Sequence, residues 1–278
     1  MACAVTRVLL TGATGFVGRQ LLARLEERGL FVRAVVRDGT EDRLPASGTV
    51  RDVISTGSLF HESAEWWTQA SQGVDLVIHA AWYAEPGKYL VAPENIDCLT
   101  GTITMAKGCL RSGVKRFVGL GTCFEYDLSQ GLLSVDTPLR PTAPYGDAKA
   151  ATYLALSHWL PQAGMEFLWC RLFYLYGEGE DERRFVPYLH AQLQAGKTAD
   201  LTSGQQVRDY LDVRDAAAMI VDRALGPAQG AINICSGIPT TVRAMAESIA
   251  DEYGRRDLLN FGARADNLVD PPCVVGRP

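Results

Sequence analysis

The sequence predicts an α/β fold, a doubly wound parallel sheet followed by a smaller C-terminal lobe. Short β-branched runs alternate with longer amphipathic segments through the first two thirds of the 278 residues, which is the pattern of parallel βαβ units with helices on both sheet faces. A glycine-rich turn stands between the first such run and the first amphipathic segment. Apolar residues make up 47% of the chain, enough at this length to bury a sizeable core.

Taken in order, the predicted strands are 6–11, 30–36, 50–54, 74–79, 115–121 and 166–172. Between the first two, Val17, Leu21 and Leu25 recur at helical spacing while Arg19, Arg24 and Glu27 take the other faces, so a helix lies on the sheet there. The charged stretch 177–184 breaks the periodicity and reads as an exposed loop where the chain leaves the main sheet, with Glu178, Glu180 and Asp181 as a solvated lid. Beyond it the pattern predicts a helix at 185–195, a strand pair within 199–211 and a helix at 213–225. A strand at 231–235 and a helix at 241–253 complete the series. Residues 1–172 are expected to form the first unit, with segments from about 205–235 returning to it, and 173–278 the second, interleaved one.

Composition excludes several function classes. Asp and Glu number 32 against 27 Lys and Arg, with no basic tract, so a nucleic-acid backbone is not the expected partner. The first ten residues lack the regions of a signal peptide, and no apolar run approaches the roughly 20 residues that span a bilayer, so a soluble cytoplasmic protein is expected. The seven cysteines are widely spaced without a C-x-x-C pair and read as reduced thiols. His61, His79, His158 and His190 show no ligand spacing, and no metal is expected.

The turn Thr11-Gly12-Ala13-Thr14-Gly15-Phe16-Val17-Gly18 closes the first strand and opens the first helix. Glycines let the turn stay tight and its backbone approach a pyrophosphate, while the helix start offers free N–H donors and a positive dipole end. In this context the turn points to dinucleotide binding of the Rossmann type, with Gly12, Thr14, Gly15, Phe16 and Val17 as cofactor contacts. An acidic residue ending the second strand would bind the ribose hydroxyls of NAD(H), whereas a 2′-phosphate needs a cation. Arg37 stands there, which favours NADP(H) over NAD(H); Asp38 beside it weighs the other way, and a plain surface arginine is the bland alternative.

Tyr145 and Lys149 stand one helical turn apart after Pro144, so both can face one ligand. A nearby ammonium favours the phenolate and is expected to lower the pKa of Tyr145. The same spacing also arises by chance on an amphipathic surface. The fifth strand ends in Gly121-Thr122-Cys123-Phe124-Glu125-Tyr126, the edge where open parallel sheets place reactive groups. The glycine turn, Thr122, and the Tyr145/Lys149 pair in this order resemble the extended short-chain dehydrogenase/reductase family, over about residues 6–215 and more loosely to the end. His79-Ala80-Ala81, the 171–177 segment and Gln206 to Tyr210 add weaker matches.

That resemblance implies a catalytic set of Thr122, Tyr145 and Lys149, and further cofactor contacts at Ser58, Leu59, Ala80, Ala81 and Leu172, with Tyr145 and Lys149 also on the nicotinamide side. It implies a nucleotide-diphosphate sugar as substrate, with Arg208 holding the diphosphate, since a guanidinium fork suits phosphate oxygens. The alternative for Arg208 is a structural ion pair with Asp209 or Asp212. Tyr83, Lys88, Cys123, Phe124, Tyr174, Val186 and Arg264 complete the implied substrate set, although aromatic loop residues such as Trp82, Tyr83 and Tyr89 are as often packing as recognition.

Members that remove water carry Asp-Glu after the Ser/Thr; Cys123 and Phe124 stand there and cannot supply that acid/base pair. Members that epimerise at C3 and C5 carry a cysteine two places after it, where Phe124 stands. Arg37 argues against the NAD-type pattern of 4-epimerases. What remains is reduction of the C4 ketone of a 4-keto-6-deoxyhexose, most similar to reductases of the abequose-synthase kind. A 4-epimerase, a reductase of some non-nucleotide carbonyl compound and a non-catalytic NADP(H)-binding regulator are the competing readings.

Tyr174 replaces an Asn of the family pattern, and Arg264 near a second phosphate-binding position has Asn267 as its rival. The chain stops at Pro278 where members usually continue through a final helix, which implies a truncation or an incomplete substrate lobe. Members commonly form homodimers through the helices here at 93–112 and 145–162, with Ala150, Ala151, Leu154, Ala155 and Leu156 suited to a close interface.

Overall fold

Residues 6–45, 50–267 and 270–278 are described by the computed structural model. The chain runs β1 (Arg7–Thr11), α1 (Phe16–Glu27), β2 (Phe31–Arg37), β3 (Val50–Thr56), α2 (Ala64–Ala70), β4 (Leu76–His79), α3 (Glu94–Arg111) and β5 (Arg116–Thr122). The short β6 (Leu132–Leu133) precedes α4 (Pro144–Gln162), β7 (Glu166–Leu172), β8 (Tyr174–Tyr176) and α5 (Phe185–Gln194). Then follow β9 (Ala199–Leu201), β10 (Val207–Asp212), α6 (Val213–Leu225), β11 (Gly230–Ile234), β12 (Pro239–Thr241), α7 (Val242–Tyr253), β13 (Leu259–Phe261) and β14 (Cys273–Gly276).

Seven strands form one parallel sheet in the order β11-β7-β5-β4-β1-β2-β3. The chain winds outward from β1 in one direction, then returns and winds from β4 in the other. The reversal between β1 and β4 opens a crevice at the carboxyl ends of those strands, where ligands of open α/β sheets bind. Because successive strand side chains point to opposite faces, each strand feeds two cores. Leu10, Val32 and Ile78 pack with Leu21 and Leu25 of α1 and Ile220 of α6 on one face, while Leu9, Val77 and Phe117 pack with Trp67, Met105 and Leu156 of α2, α3 and α4 on the other. Full burial of such a side chain contributes about 1.5–3 kcal/mol, so the sheet edge that carries the site is held from both sides.

A second sheet in the order β12-β10-β14-β6, with β8 alongside β10, and a small pair β13-β9 lie beyond the main sheet. The strand pair expected within 199–211 is not formed. β9 pairs with β13 and β10 with β12, β14 and β8. Between them Gly204 takes φ +72°, and the amides of Val242 and Arg243 donate to Gln206 and Gly204 carbonyls, so the start of α7 takes the groups a hairpin would have used. The main sheet is left at Leu172, earlier than expected, and β11 rejoins it beside β7.

Among the described residues no helix is long and apolar enough to cross a membrane. The six described cysteines are unpaired, five of them buried; Cys3 lies outside the described residues.

Candidate functional site

One cleft of roughly 1220 Å³ opens across the carboxyl ends of the parallel strands and extends over the second sheet. Its floor at the crevice is the glycine turn. Gly12 takes φ +72°, and a Cβ on it would fall 2.8 Å from the Ala81 nitrogen; a Cβ on Gly18 would fall 1.8 Å from the Gly12 carbonyl oxygen. Only glycine permits β1, α1 and the end of β4 to meet this closely. The start of α1 has no side-chain cap and no acidic residue in its first turn, so its free N–H groups face the cleft with an unopposed positive dipole end. These features fit a dinucleotide pyrophosphate, and Gly12, Thr14, Gly15, Phe16, Val17, Ala80 and Ala81 all line the cleft there.

A hydrogen-bonded chain that the sequence did not announce fixes this junction. The Ala81 amide donates to Thr11 Oγ1 at 3.2 Å, Thr11 Oγ1 lies 2.8 Å from His79 Nδ1, and His79 Nε2 lies 2.9 Å from Thr102 Oγ1. The Thr102 hydroxyl donates to the Cys98 carbonyl at 2.6 Å, so it accepts from Nε2–H, and Nδ1 in turn accepts from the Thr11 hydroxyl. Burial drives the His79 pKa down to about 3, with Lys149 contributing, which keeps the ring neutral as this pattern requires.

At the far end, Arg37 closes β2 and lines the cleft together with Ser58, Leu59, Thr40 and Arg43. Neither Arg37 nor Arg43 makes an ion pair among the described residues, and Asp38 is not part of the lining. Arg43 was not foreseen, since it lies six residues past the strand end in a short helical turn.

Thr122, Tyr145 and Lys149 are brought together at the centre, with Leu172 at the end of the neighbouring β7. Thr122 ends β5 and forms a capping box with Glu125: its amide donates to Glu125 Oε1 at 2.9 Å and its hydroxyl accepts from the Phe124 amide at 3.3 Å. Glu125 is fully buried and also accepts from Trp169 Nε1 at 2.9 Å and Arg171 Nε at 2.7 Å. The Thr-x-x-Glu spacing after a strand was the available signal for this support. Tyr145 follows the N1 proline of α4 and lines the cleft beside Thr122. Burial raises the phenol pKa above its ordinary value and Tyr89 adds to this, with Thr122 opposing.

Lys149 does not supply the expected lowering. Its ammonium donates to the Leu120 carbonyl at 2.6 Å and lies 3.7 Å from the centre of the Trp82 ring, so its nearest partners are not the phenol. Burial brings its own pKa down to about 7, with Glu125 favouring the charged form.

On the second sheet, Arg208 lines the cleft with only 4% of its side chain exposed. It is ion-paired, but with neither expected carboxylate: it donates to Asp270 Oδ2 at 2.6 Å and to the Val207 and Pro271 carbonyls, and stands over the Tyr174 ring at 5.2 Å. Asp209 instead accepts from the amides of Ser236, Gly237 and Gly276, and Asp212 pairs with Arg214. Phe124 packs edge-on to Tyr145 and Tyr174 at 6.5 and 6.3 Å. Tyr83, Cys123 and Val186 also line the cleft; burial pushes the Cys123 thiol up to about 12, leaving it an inert apolar wall.

Two expected substrate residues are elsewhere. Lys88 pairs with Glu85 at 2.9 Å and is 66% exposed, and Arg264 donates to the Tyr188 hydroxyl at 3.3 Å outside the cleft, where Asn267 lines the wall instead. Nor is Glu180 a solvated lid residue. It lines the cleft, burial raises its carboxyl to about 7, and its Oε2 finds no hydrogen-bond partner among the described residues. Glu178 is exposed, and Asp181 is taken up by Arg183.

Fold and cleft together are those of a dinucleotide-binding α/β protein. The chain belongs to the NAD dependent epimerase/dehydratase family, whose model matches residues 8–235, within the extended short-chain dehydrogenases/reductases. It is 26% identical to the dTDP-6-deoxy-L-talose 4-dehydrogenase (NAD(+)) of Aggregatibacter actinomycetemcomitans over 97% of this chain and 98% of that one. To the dTDP-6-deoxy-L-talose 4-dehydrogenase (NAD(P)(+)) of Kitasatospora kifunensis it is 27% identical over 90% of this chain and 80% of that one. The UDP-N-acetylglucosamine 4-epimerase of Methanobrevibacter ruminantium M1, solved with UDP-N-acetylmuramic acid, shares the fold with a TM-score of 0.86 over 99% of this chain and 90% of that one, at 19% identity.

Proposed function

We propose that the protein reduces the C4 ketone of a nucleotide-diphosphate 4-keto-6-deoxyhexose with NADPH. The observation that carries this is one continuous cleft in which Thr122, Tyr145 and Lys149 stand between the glycine turn and Arg208. When bound, the nicotinamide supplies the hydride that C4 receives. Thr122 and Tyr145 both donate toward the carbonyl oxygen, polarising it, and Tyr145 gives it the proton. A phenol whose pKa burial has raised is protonated at neutral pH, which suits the reducing direction. Lys149 holds the nicotinamide ribose, and Arg208 takes a diphosphate oxygen with its fork.

Cys123 and Phe124, an inert thiol and an apolar ring, stand where acid/base work for dehydration would be needed, and this supports plain hydride transfer. Both curated relatives above are named as C4 oxidoreductases of a 6-deoxy sugar, which supports the same carbon and the same redox step. Arg37 and Arg43, free of carboxylates at the adenosine end, support NADP(H) over NAD(H). A cytoplasmic homodimer through α3 and α4 goes with this reading, supported by the exposure of Ile96, Ala151, Leu154 and Ala155 along those helices; Ala150 and Leu156 of the expected interface belong to the core.

The test is NADPH oxidation with a panel of nucleotide-linked 4-keto-6-deoxy sugars generated in situ. Substrate-dependent oxidation with one base preferred is the expected result. Binding of NADPH without turnover of any panel member would overturn the sugar assignment and move the non-nucleotide carbonyl or regulatory readings ahead.

A further inference from the structure

Trp82 is the first side chain after the Ala80-Ala81 end of β4, and it is not held as a loop residue is held. Its Nε1–H donates to Asn95 Oδ1 at 2.9 Å, and Asn95 is itself fully buried, with its amide donating to the Tyr89 and Ala92 carbonyls at 2.7 and 2.9 Å. Phe60 meets the indole edge-on at 6.3 Å. The ring is held by both contacts, and its face covers the Lys149 ammonium at 3.7 Å.

That ammonium is 4% exposed as a residue and has one carbonyl, Leu120, as a direct acceptor. A desolvated cation with a single acceptor is costly unless other groups compensate. The charged and titratable groups around it come from every neighbouring element. Glu125 after β5 favours the charge; Cys98 on α3 would do so only as a thiolate, which burial opposes by raising that thiol to about 11; His79 on β4 is neutral. On β7 the Trp169 ring centre is 5.7 Å away, too far to match Trp82. The negative face of a tryptophan is the strongest side-chain π partner for a cation, and most so when water is excluded.

We propose that Trp82 is a positioning residue for Lys149: its face, clamped by Asn95, fixes the place of the buried ammonium and favours its charged form. The ring acts through Lys149 and not on the reacting atoms.

The test needs no substrate and is independent of the proposed reaction. The chain has five lysines, Lys88, Lys107, Lys115, Lys149 and Lys197, so a ¹³Cε-lysine NMR titration resolves each, with Lys149 assigned by Lys149→Arg. In the wild type the Lys149 ε-methylene is expected to be shifted upfield by the indole ring current. Trp82→Leu should remove that shift and lower the Lys149 pKa by about half a unit to one and a half units, while Trp82→Phe should fall between. Should the leucine variant fold poorly, biosynthetic fluorinated tryptophans keep the shape while weakening the ring quadrupole, and a stepwise drop of the Lys149 pKa with fluorination is expected. An unchanged or higher pKa on weakening the ring, or no ring-current shift in the wild type, would overturn the proposal.

Discussion

The two ends of the cleft are built on different principles. At the dinucleotide end the geometry is set by backbone: Gly12, Gly18 and the start of α1 leave no room for alternatives, and the Thr11-His79-Thr102 chain locks β1 to β4 through neutral hydrogen bonds. At the second-sheet end it is set by side chains from distant segments, with Arg208 of β10 held by Asp270 across 62 positions of sequence and framed by Tyr174 and Phe124. A backbone site is rigid and generic, suited to a cofactor that many proteins share. A side-chain site is adjustable, suited to a substrate that differs among relatives.

Between these ends stands Tyr145, which belongs to both, and its removal should break them apart most clearly. Tyr145→Phe is expected to lower kcat by about 10²- to 10⁴-fold, with NADPH binding by fluorescence retained. At the substrate end, Arg208→Ala should raise the KM for the nucleotide sugar by about 10- to 100-fold, the value of a charged hydrogen bond or two, while the KM for NADPH stays put. The fold should survive because Asp270, left unpaired, is 38% exposed in its side chain and can be hydrated. At the cofactor end the mirror experiment is Arg37→Ala, expected to raise the NADPH KM about tenfold and leave the NADH KM unchanged. An equal effect on both cofactors would remove the 2′-phosphate from the account. Smallest of all, Lys88→Ala and Arg264→Ala should leave steady-state constants unaltered and stability within about 0.5 kcal/mol, as expected of residues that lie outside the lining.

The same contrast explains what was legible in the sequence. Short β-branched runs placed the main-sheet strands to within a residue or two, because each is clamped between two helix layers and its apolar character is dictated locally. The glycine turn was readable for the same reason. The 199–211 segment was not, since β9 finds its partner at 259–261 and β10 at 174–176, 239–241 and 273–274, and no local pattern announces partners that distant. Lys88 fitted by its loop neighbours and Arg264 by its nearness to the second phosphate-binding position of the family pattern, but side-chain direction depends on the nearest counter-group, Glu85 in one case and Tyr188 in the other. Glu180 shows the opposite error: a charge run reads as solvated, yet one member is turned inward. Glu125 and His79 act by supporting Thr122 and the glycine turn; the Thr-x-x-Glu spacing announced the first as a capping box, whereas the contacts of His79 to Thr11 and Thr102 carry no local signal.

The central claim is that the two ends serve one net hydride transfer to C4. NADPH carrying deuterium at its transferring position, incubated with the preferred nucleotide-linked 4-keto-6-deoxy sugar, should yield a product with one deuterium at C4 and one NADPH consumed per product by mass spectrometry. Turnover of a nucleotide sugar with no label incorporated and no cofactor consumed would instead mark an epimerase and contradict the account.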